Sequence, residues 1–331
     1  VVALQGAGAD PSFAIGGALN EAGSNAHAGS GELFVAEADE SDRSFLAYRP
    51  DLAVVTNVDL DHPDVFAGPD EVDAAFDAFL ARRAPGVPAI VCLDDPGGAR
   101  LAARAAPPVI TYGEDPHADV RVVVAAARTA RLRSGGEDLV AYTLAVPGRH
   151  NLLNAAAALA VCRWAGADLE AAAGALATFT GAMRRFQHLG TVAGVQVVED
   201  YAHHPVEVRA TLAAAREGAP GRVLLVVQPH RFSRTLVLGA ELGRAAAAAD
   251  VVIVTDVYGA DEQPVPGVSG ALVADAARAA GANVVWQPHL GDVAAEVAAL
   301  AESGDLVLIT GAGDVTQVGP ALLTLLGERR G

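Results

Sequence analysis

The chain has 331 residues, 52% of them hydrophobic and 19% charged, which excludes a disordered polypeptide and implies about two domains rather than one core. Its 40 acidic residues against 23 basic ones give a net charge of -17, which argues against a protein built to grip nucleic-acid phosphates. All 23 basic residues are arginine, so no phosphate-binding loop of the GxxxxGK[ST] kind, which needs a lysine, lies within these residues.

The opening residues, VVALQGAGADPSF, lack an initiator Met, a basic n-region and an apolar h-region, and read as though they began inside a fold. No apolar run approaches the roughly 18 residues of a spanning helix, so a membrane is not an expected partner. A strand-like ELFV is followed by AEADESD, which sets Glu37, Asp39, Glu40 and Asp42 within six positions. Such carboxylates suit Mg2+, which takes one or two of them together with substrate phosphates. The bland alternative is a solvated run in which Ser41 or Asp42 caps a short helix.

The β-branched run AVVTNV (53–58) leads into DLDHPD, where His62 lies among Asp59, Asp61 and Asp64. A histidine among carboxylates can ligate a metal through one ring nitrogen while the other is held by a hydrogen bond; it can equally be a half-exposed loop residue. The strands before Glu37 and His62 are expected to be neighbours in one parallel sheet, so that their loops face each other. A helix over 70–84, a strand over 88–95 and a buried helix over 154–165 continue the βα alternation, while 118–146 reads as antiparallel strands at a sheet edge. His150 and Asn154 lie four residues apart at the helix start and can meet a purine edge, or simply cap and pack. Cys92 and Cys162 form no framework and read as buried free thiols of a reducing compartment.

After the arginine-rich turn GAMRRFQ (181–187) a second βα series begins, with strands over 195–200, 222–228, 250–257, 283–286 and 305–311. The domain boundary falls near residue 182. Polar clusters follow the strands: EDYAHHP carries Asp200, His203 and His204, and QPHRFSRT carries Arg231 and Arg234. Ligands of doubly wound sheets bind at carboxyl strand ends, and guanidinium forks suit phosphate and carboxylate. ITGAGD (309–314) is a lone GxG that marks a tight turn more readily than a site.

Taken in order, AEADESDRSFL, TNVDLDHPDVF, GRHNLLNAAAA, GAMRRFQ, EDYAHHPVEV, QPHRFSRT and ITGAGD resemble the Mur ligase family, most of all its alanine-adding branch. The resemblance implies an α/β chain: a central ATPase domain with a mostly parallel sheet over 1–182, missing its phosphate-binding loop, followed by a Rossmann-like C-terminal domain over 183–331. It implies a cytoplasmic, ATP-dependent enzyme that joins L-alanine to UDP-N-acetylmuramate through an acyl phosphate, with the N-terminal UDP-binding domain and GTHGKTT loop absent, so that these residues alone would not ligate. It further implies Glu37 and His62 on Mg2+, and His150 and Asn154 on adenine. Arg185 and Asp200 would contact phosphate and ribose, while His204, Arg231 and Arg234 would orient the muramoyl carboxylate or the alanine. Asn25, His27 and His203 would bind the substrate. Two other readings stand beside it: a ligase that adds a preformed peptide to the same sugar, and an inert nucleotide-binding module.

Overall fold

The β-branched runs of this sequence are short and the alanine-rich runs between them are long enough to cross back over a sheet, so strands and helices alternate almost throughout. The computed structural model describes residues 1–18 and 24–328. The chain divides into two units, Val1–Thr180 and Gly181–Gly331.

The first unit runs α1 (Val2–Gly6), β1 (Ser12–Ala14), β2 (Ala26–His27), β3 (Phe34–Ala36), β4 (Ala53–Val55), α2 (Pro69–Leu80), β5 (Ala89–Cys92), α3 (Pro96–Arg104), β6 (Val109–Gly113), β7 (Val120–Ala126), β8 (Thr129–Ser134), β9 (Glu137–Thr143), α4 (Arg149–Trp164) and α5 (Leu169–Leu176). One sheet has the order β4-β5-β6-β7-β8-β9, parallel as far as β7 and antiparallel beyond it, which is the expected antiparallel edge. Small side chains let α4 lie close on this sheet, burying Leu152, Ala155, Ala156 and Leu159. Asp95 caps α3 through the Gly98 N–H and also accepts the Val58 N–H at 2.9 Å, which ties the end of the β4 segment to the α3 start. Gly97 is required there, because a Cβ would lie 1.9 Å from the Val58 carbonyl oxygen.

The expected pairing of the two strands before Glu37 and His62 is corrected by this topology. β3 pairs with β1 in a separate three-stranded sheet of order β2-β1-β3, whereas β4 is an edge strand of the larger sheet. The register is locked by main-chain bonds from Ser12 to Leu33 and from Glu37 to Ala14. Between β3 and β4 a 3-10 turn, Ser44–Ala47, buries Phe45 among Val55 and Phe79, so the chain leaves one sheet to join the core of the other. Cys92 and Cys162 are buried free thiols, as expected.

The second unit runs β10 (Gln187–Val192), β11 (Val195–Asp200), α6 (Pro205–Gly218), β12 (Val223–Val227), α7 (Phe232–Ala246), β13 (Val251–Val254), α8 (Ala271–Ala279), β14 (Val284–Trp286), α9 (Leu290–Leu300), β15 (Leu306–Thr310) and α10 (Val318–Glu328). The strand order is β10-β11-β15-β12-β13-β14, parallel except for the hairpin strand β10. β12 reads VLLVV and is buried at every position, as a strand covered by helices on both faces must be. One apolar cluster packs Leu225 and Val227 against residues of α6, α7 and α8, and another packs Leu224 and Val226 against residues of α9 and α10. No helix among the described residues is long and apolar enough to cross a membrane.

Candidate active site

Because β11, β12, β13 and β15 are parallel, the segments that follow them gather at one edge of the sheet. β11 ends on Asp200, which is 6% exposed; its two oxygens accept the N–H groups of Phe186 at 2.7 Å and Ala202 at 2.8 Å. Burial pushes its pKa up against the pull of those bonds. The carboxylate therefore pins the RRF turn to the strand end. Within that turn Arg184 donates to Glu199 at 2.8 Å and to the Gly311 carbonyl at 2.8 Å, with its guanidinium over the Tyr201 ring. Arg185 lies over the same ring at 5.4 Å and pairs with Glu207 at 3.6 Å.

Glu207 and His204 form a capping box at the start of α6. Glu207 accepts the N–H groups of His203 and His204 at 3.0 and 3.1 Å, and His204 Nδ1 accepts the Val206 N–H at 3.3 Å. Burial pushes the Glu207 pKa up, but His203, the His203 N–H and Arg185 outweigh it, and the net direction is down. His204, 8% exposed, thus sits as a helix cap.

The two neighbouring imidazoles adopt opposite roles. His203 Nδ1 lies 3.0 Å from the Tyr201 carbonyl, which can only accept, so this nitrogen carries the hydrogen. His230 Nδ1 lies 3.1 Å from Arg234 Nη1, which can only donate, so this nitrogen is bare. Burial first, then the charges of His203, Arg234 and Arg231, push the His230 pKa down to about 4, which keeps the ring neutral. Arg234 is 4% exposed, and with His203, His230 and Thr235 it lines a recess of about 10 Å3, room for a single water. Arg231 precedes α7 in the left-handed region, φ 66°, with its N–H donating to the Tyr258 carbonyl at 2.8 Å. Glu262 accepts from the Ser233 N–H at 2.9 Å and hydroxyl at 2.5 Å, which caps α7 from the loop after β13.

In the first unit the carboxylate of Glu37 accepts the Gly16 N–H at 2.7 Å. Asp61 at 3.6 Å and Glu40 at 3.8 Å lie beside His62 Nε2, so the two loops do approach, through Glu40. Desolvation pushes the Glu40 pKa up, with His62 pulling the other way. Asp39 and Asp42 accept the N–H groups of Ser41 and Ser44, two residues on, while the N-cap of the 3-10 turn is Arg43 without a side-chain cap bond, so neither Ser41 nor Asp42 caps it as expected. Arg43 crosses between the loops: it donates to the Val65 carbonyl at 3.1 Å and to Glu71 at 3.0 Å and covers the Phe66 ring. Among the described residues no group of three or more His, Cys, Asp or Glu side chains is arranged to hold a metal ion. The carboxylates on the two loops fit Mg2+, which takes one or two of them and completes its shell with water and phosphate oxygens, whereas the imidazole of His62 is a softer donor than this ion favours.

α4 begins at Arg149, five residues earlier than expected, which places His150 and Asn154 both within the helix, half-buried and exposed respectively. Asn25 is exposed beside β2. His27, on β2, bonds Asp10 at 3.0 Å. The Ser30 N–H first, then His27, hold the Asp10 carboxyl down to about 2. Sequence reading missed Tyr258, Glu262 and Arg43, which act in no visible pattern. Glu207 was findable, since it stands three residues after His204 at capping-box spacing.

Residues 18–162 match the Mur ligase middle domain, and residues 184–313 match the Mur ligase glutamate ligase domain. The chain is 48% identical over 343 residues to the UDP-N-acetylmuramate--L-alanine ligase of Mycobacterium sp. (strain JLS), covering 99% of this chain and 70% of that one. It is 49% identical over 338 residues to the enzyme of the same name from Mycolicibacterium smegmatis, covering 98% and 70%. In fold it is similar to the UDP-N-acetylmuramate-alanine ligase MurC of Thermotoga maritima, with a TM-score of 0.79 at 24% identity, over 99% of this chain and 71% of that one. The MurF ligase of Thermotoga maritima in complex with ADP gives a TM-score of 0.76 at 20% identity, over 99% and 76%.

Proposed function

Because the chain belongs to the Mur ligase family, we propose that it serves the ATP-dependent joining of L-alanine to UDP-N-acetylmuramate in the cytoplasm, a step of peptidoglycan precursor synthesis. ATP phosphorylates the muramoyl carboxylate; the alanine amine then attacks the acyl carbon, and phosphate leaves as the amide forms. The observation that carries this reading is the identity of 48% that runs through both units to alanine ligases. The strand-end arginines of the second unit supply its chemical support.

The acyl carbon must be held facing an amine while its carboxylate origin and the alanine carboxylate are neutralised. Arg231 and Arg234, three apart at the start of α7, offer two guanidinium forks for such groups. Arg234 is buried, and a buried fork acts at low dielectric with its orientation already set. His203 beside it presents a ring whose hydrogen is fixed on Nδ1 by the Tyr201 carbonyl. Asp200 fixes the turn that carries Arg184 and Arg185 at the strand end, where Arg185 would contact a phosphate. In the first unit Glu37, Glu40 and His62 would hold Mg2+, which when bound supplies neutralisation of phosphoryl charge. His150 and Asn154 would face the adenine, and Asn25 and His27 the sugar nucleotide.

The test joins this chain to the part of the Mycolicibacterium smegmatis relative that lies outside the aligned region, and follows amide formation by mass spectrometry. With UDP-N-acetylmuramate, ATP and Mg2+, the joined protein should incorporate L-alanine in preference to a preformed tripeptide. The 331-residue chain, which has no lysine for a phosphate-binding loop, should form no amide alone. Preference for the tripeptide would transfer the reading to the peptide-adding ligase, and failure of the joined protein to release ADP would favour an inert binding module.

A further inference from the structure

The two arginines at the start of α7 are held by different means. At Arg231 the main chain is fixed, since its N–H donates to the Tyr258 carbonyl at 2.8 Å. Arg234 is set through a side chain, by its bond to His230 Nδ1 at 3.1 Å. His230 is in turn held by Tyr258: the rings stack at 5.7 Å and 18°, and the two backbones form a parallel bridge. Tyr258 is itself confined. A Cβ at Gly313 would lie 2.4 Å from Tyr258 Cγ and 2.7 Å from Gln228 Oε1. Gln228 cannot yield, because it is 3% exposed and bonded to Asp314 and to the Val315 N–H. The φ of Gly313 is -94°, outside the left-handed region, so space and not backbone conformation calls for glycine there.

We infer that His230 and Tyr258 are positioning residues for Arg234, a ring pair wedged by the Gly313 loop that fixes where its guanidinium meets a substrate carboxylate. This rests on the reading that Arg234 binds such a carboxylate. The choice of acceptor has a physical reason: a neutral imidazole orients the Arg234 guanidinium without itself adding a counter-charge beside it. The burial that keeps His230 uncharged serves the same end.

The experiment uses the joined ligase for kinetics and the 331-residue chain, labelled with 15N-histidine, for NMR. Arg234→Ala is the benchmark and identifies which of L-alanine and UDP-N-acetylmuramate the arginine holds. Tyr258→Ala and Gly313→Ala should each raise KM for that same substrate about tenfold, the scale of one misplaced bond to a charged group, with KM for ATP unmoved. Tyr258→Phe should restore most of what Tyr258→Ala loses. In the spectra, His230 Nδ1 should resonate as a bare acceptor nitrogen in the parent chain and lose that signature in Tyr258→Ala and Gly313→Ala. If Arg234→Ala raises KM while both other variants leave KM and the His230 signal unchanged, the inference fails and the functional reading stands. If Arg234→Ala changes neither substrate's KM, the reading itself fails.

Discussion

At the strand ends of the second unit Asp200, His204 and Arg234 are at most 8% exposed and each is bonded to a neighbour, whereas in the first unit Glu37 and Asn154 are exposed and His62 faces Glu40 at 3.8 Å. The difference follows from topology. Four parallel strands of one sheet deliver the second cluster to a common edge, where capping bonds, a ring stack and buried charges brace one another. Glu37 and His62 follow strands of two separate sheets, so they face each other only across loops, while Asn154 lies on α4. A preformed set of this kind suits orienting an acceptor, and a loosely gathered set of hard donors suits an ion and phosphates that complete it on binding.

The sharpest test of this contrast lies in the first unit. In the joined ligase, His62→Ala should cost roughly 100- to 1000-fold in turnover, about 3 to 4 kcal/mol, with partial rescue by raised Mg2+ or Mn2+. Glu37→Gln and Glu40→Gln, measured side by side, decide which carboxylate shares the ion: that variant combined with His62→Ala should lose much less than the sum. Near-normal turnover of His62→Ala would return the residue to an ordinary loop histidine.

The second effect belongs to the braced unit. Asp200→Ala leaves the Phe186 and Ala202 N–H groups without their acceptor and should lower the stability of the second unit by about 2 to 3 kcal/mol. Trp286 lies in that unit and Trp164 in the first, so urea unfolding followed by fluorescence in a Trp164→Phe background isolates it. A shift below about 0.5 kcal/mol would show that the turn does not depend on this carboxylate.

Acid separates the units again. His230 is held down to about 4 from 6.5 in the folded state, so the unfolded chain takes the proton first as pH falls. The stability this neutral ring supports is complete above about pH 6.5 and is lost between 6.5 and 4. The Trp286 transition of the parent should therefore weaken more between about pH 7 and pH 5 than that of His230→Asn; equal losses would contradict it. Asp10 of the first unit works lower, losing its contribution only as pH falls from 3.8 toward 2. The smallest expected effect is that of Arg43→Ala, which removes a half-exposed pair and a ring contact between the two acidic loops and should cost about 0.5 to 1 kcal/mol in the Trp164 transition.

Most strands and helices were legible because their signals are local: VLLVV reads as a strand with both faces buried, and the run after HNLLN reads as a helix. What escaped were elements whose identity depends on partners, such as β1 and β2, and the hairpin strand β10, whose alternation is broken by Gly190. The site divides the same way. HHPVE carries its own capping logic in the sequence, while Tyr258 and Glu262 stand in a loop whose composition gives no hint that it clasps α7.

Residue spacing and composition alone determined the two βα series, the boundary region between them, the lack within these residues of a lysine for a phosphate loop and the gathering of polar clusters after strands, because periodicity and composition are properties of neighbours in sequence. Only the tertiary structure decided that β3 and β4 belong to different sheets, that Glu40 approaches His62, and that a neutral histidine receives Arg234. Those outcomes depend on which edges pair and which side chains lose water together, and such terms join residues far apart in the chain.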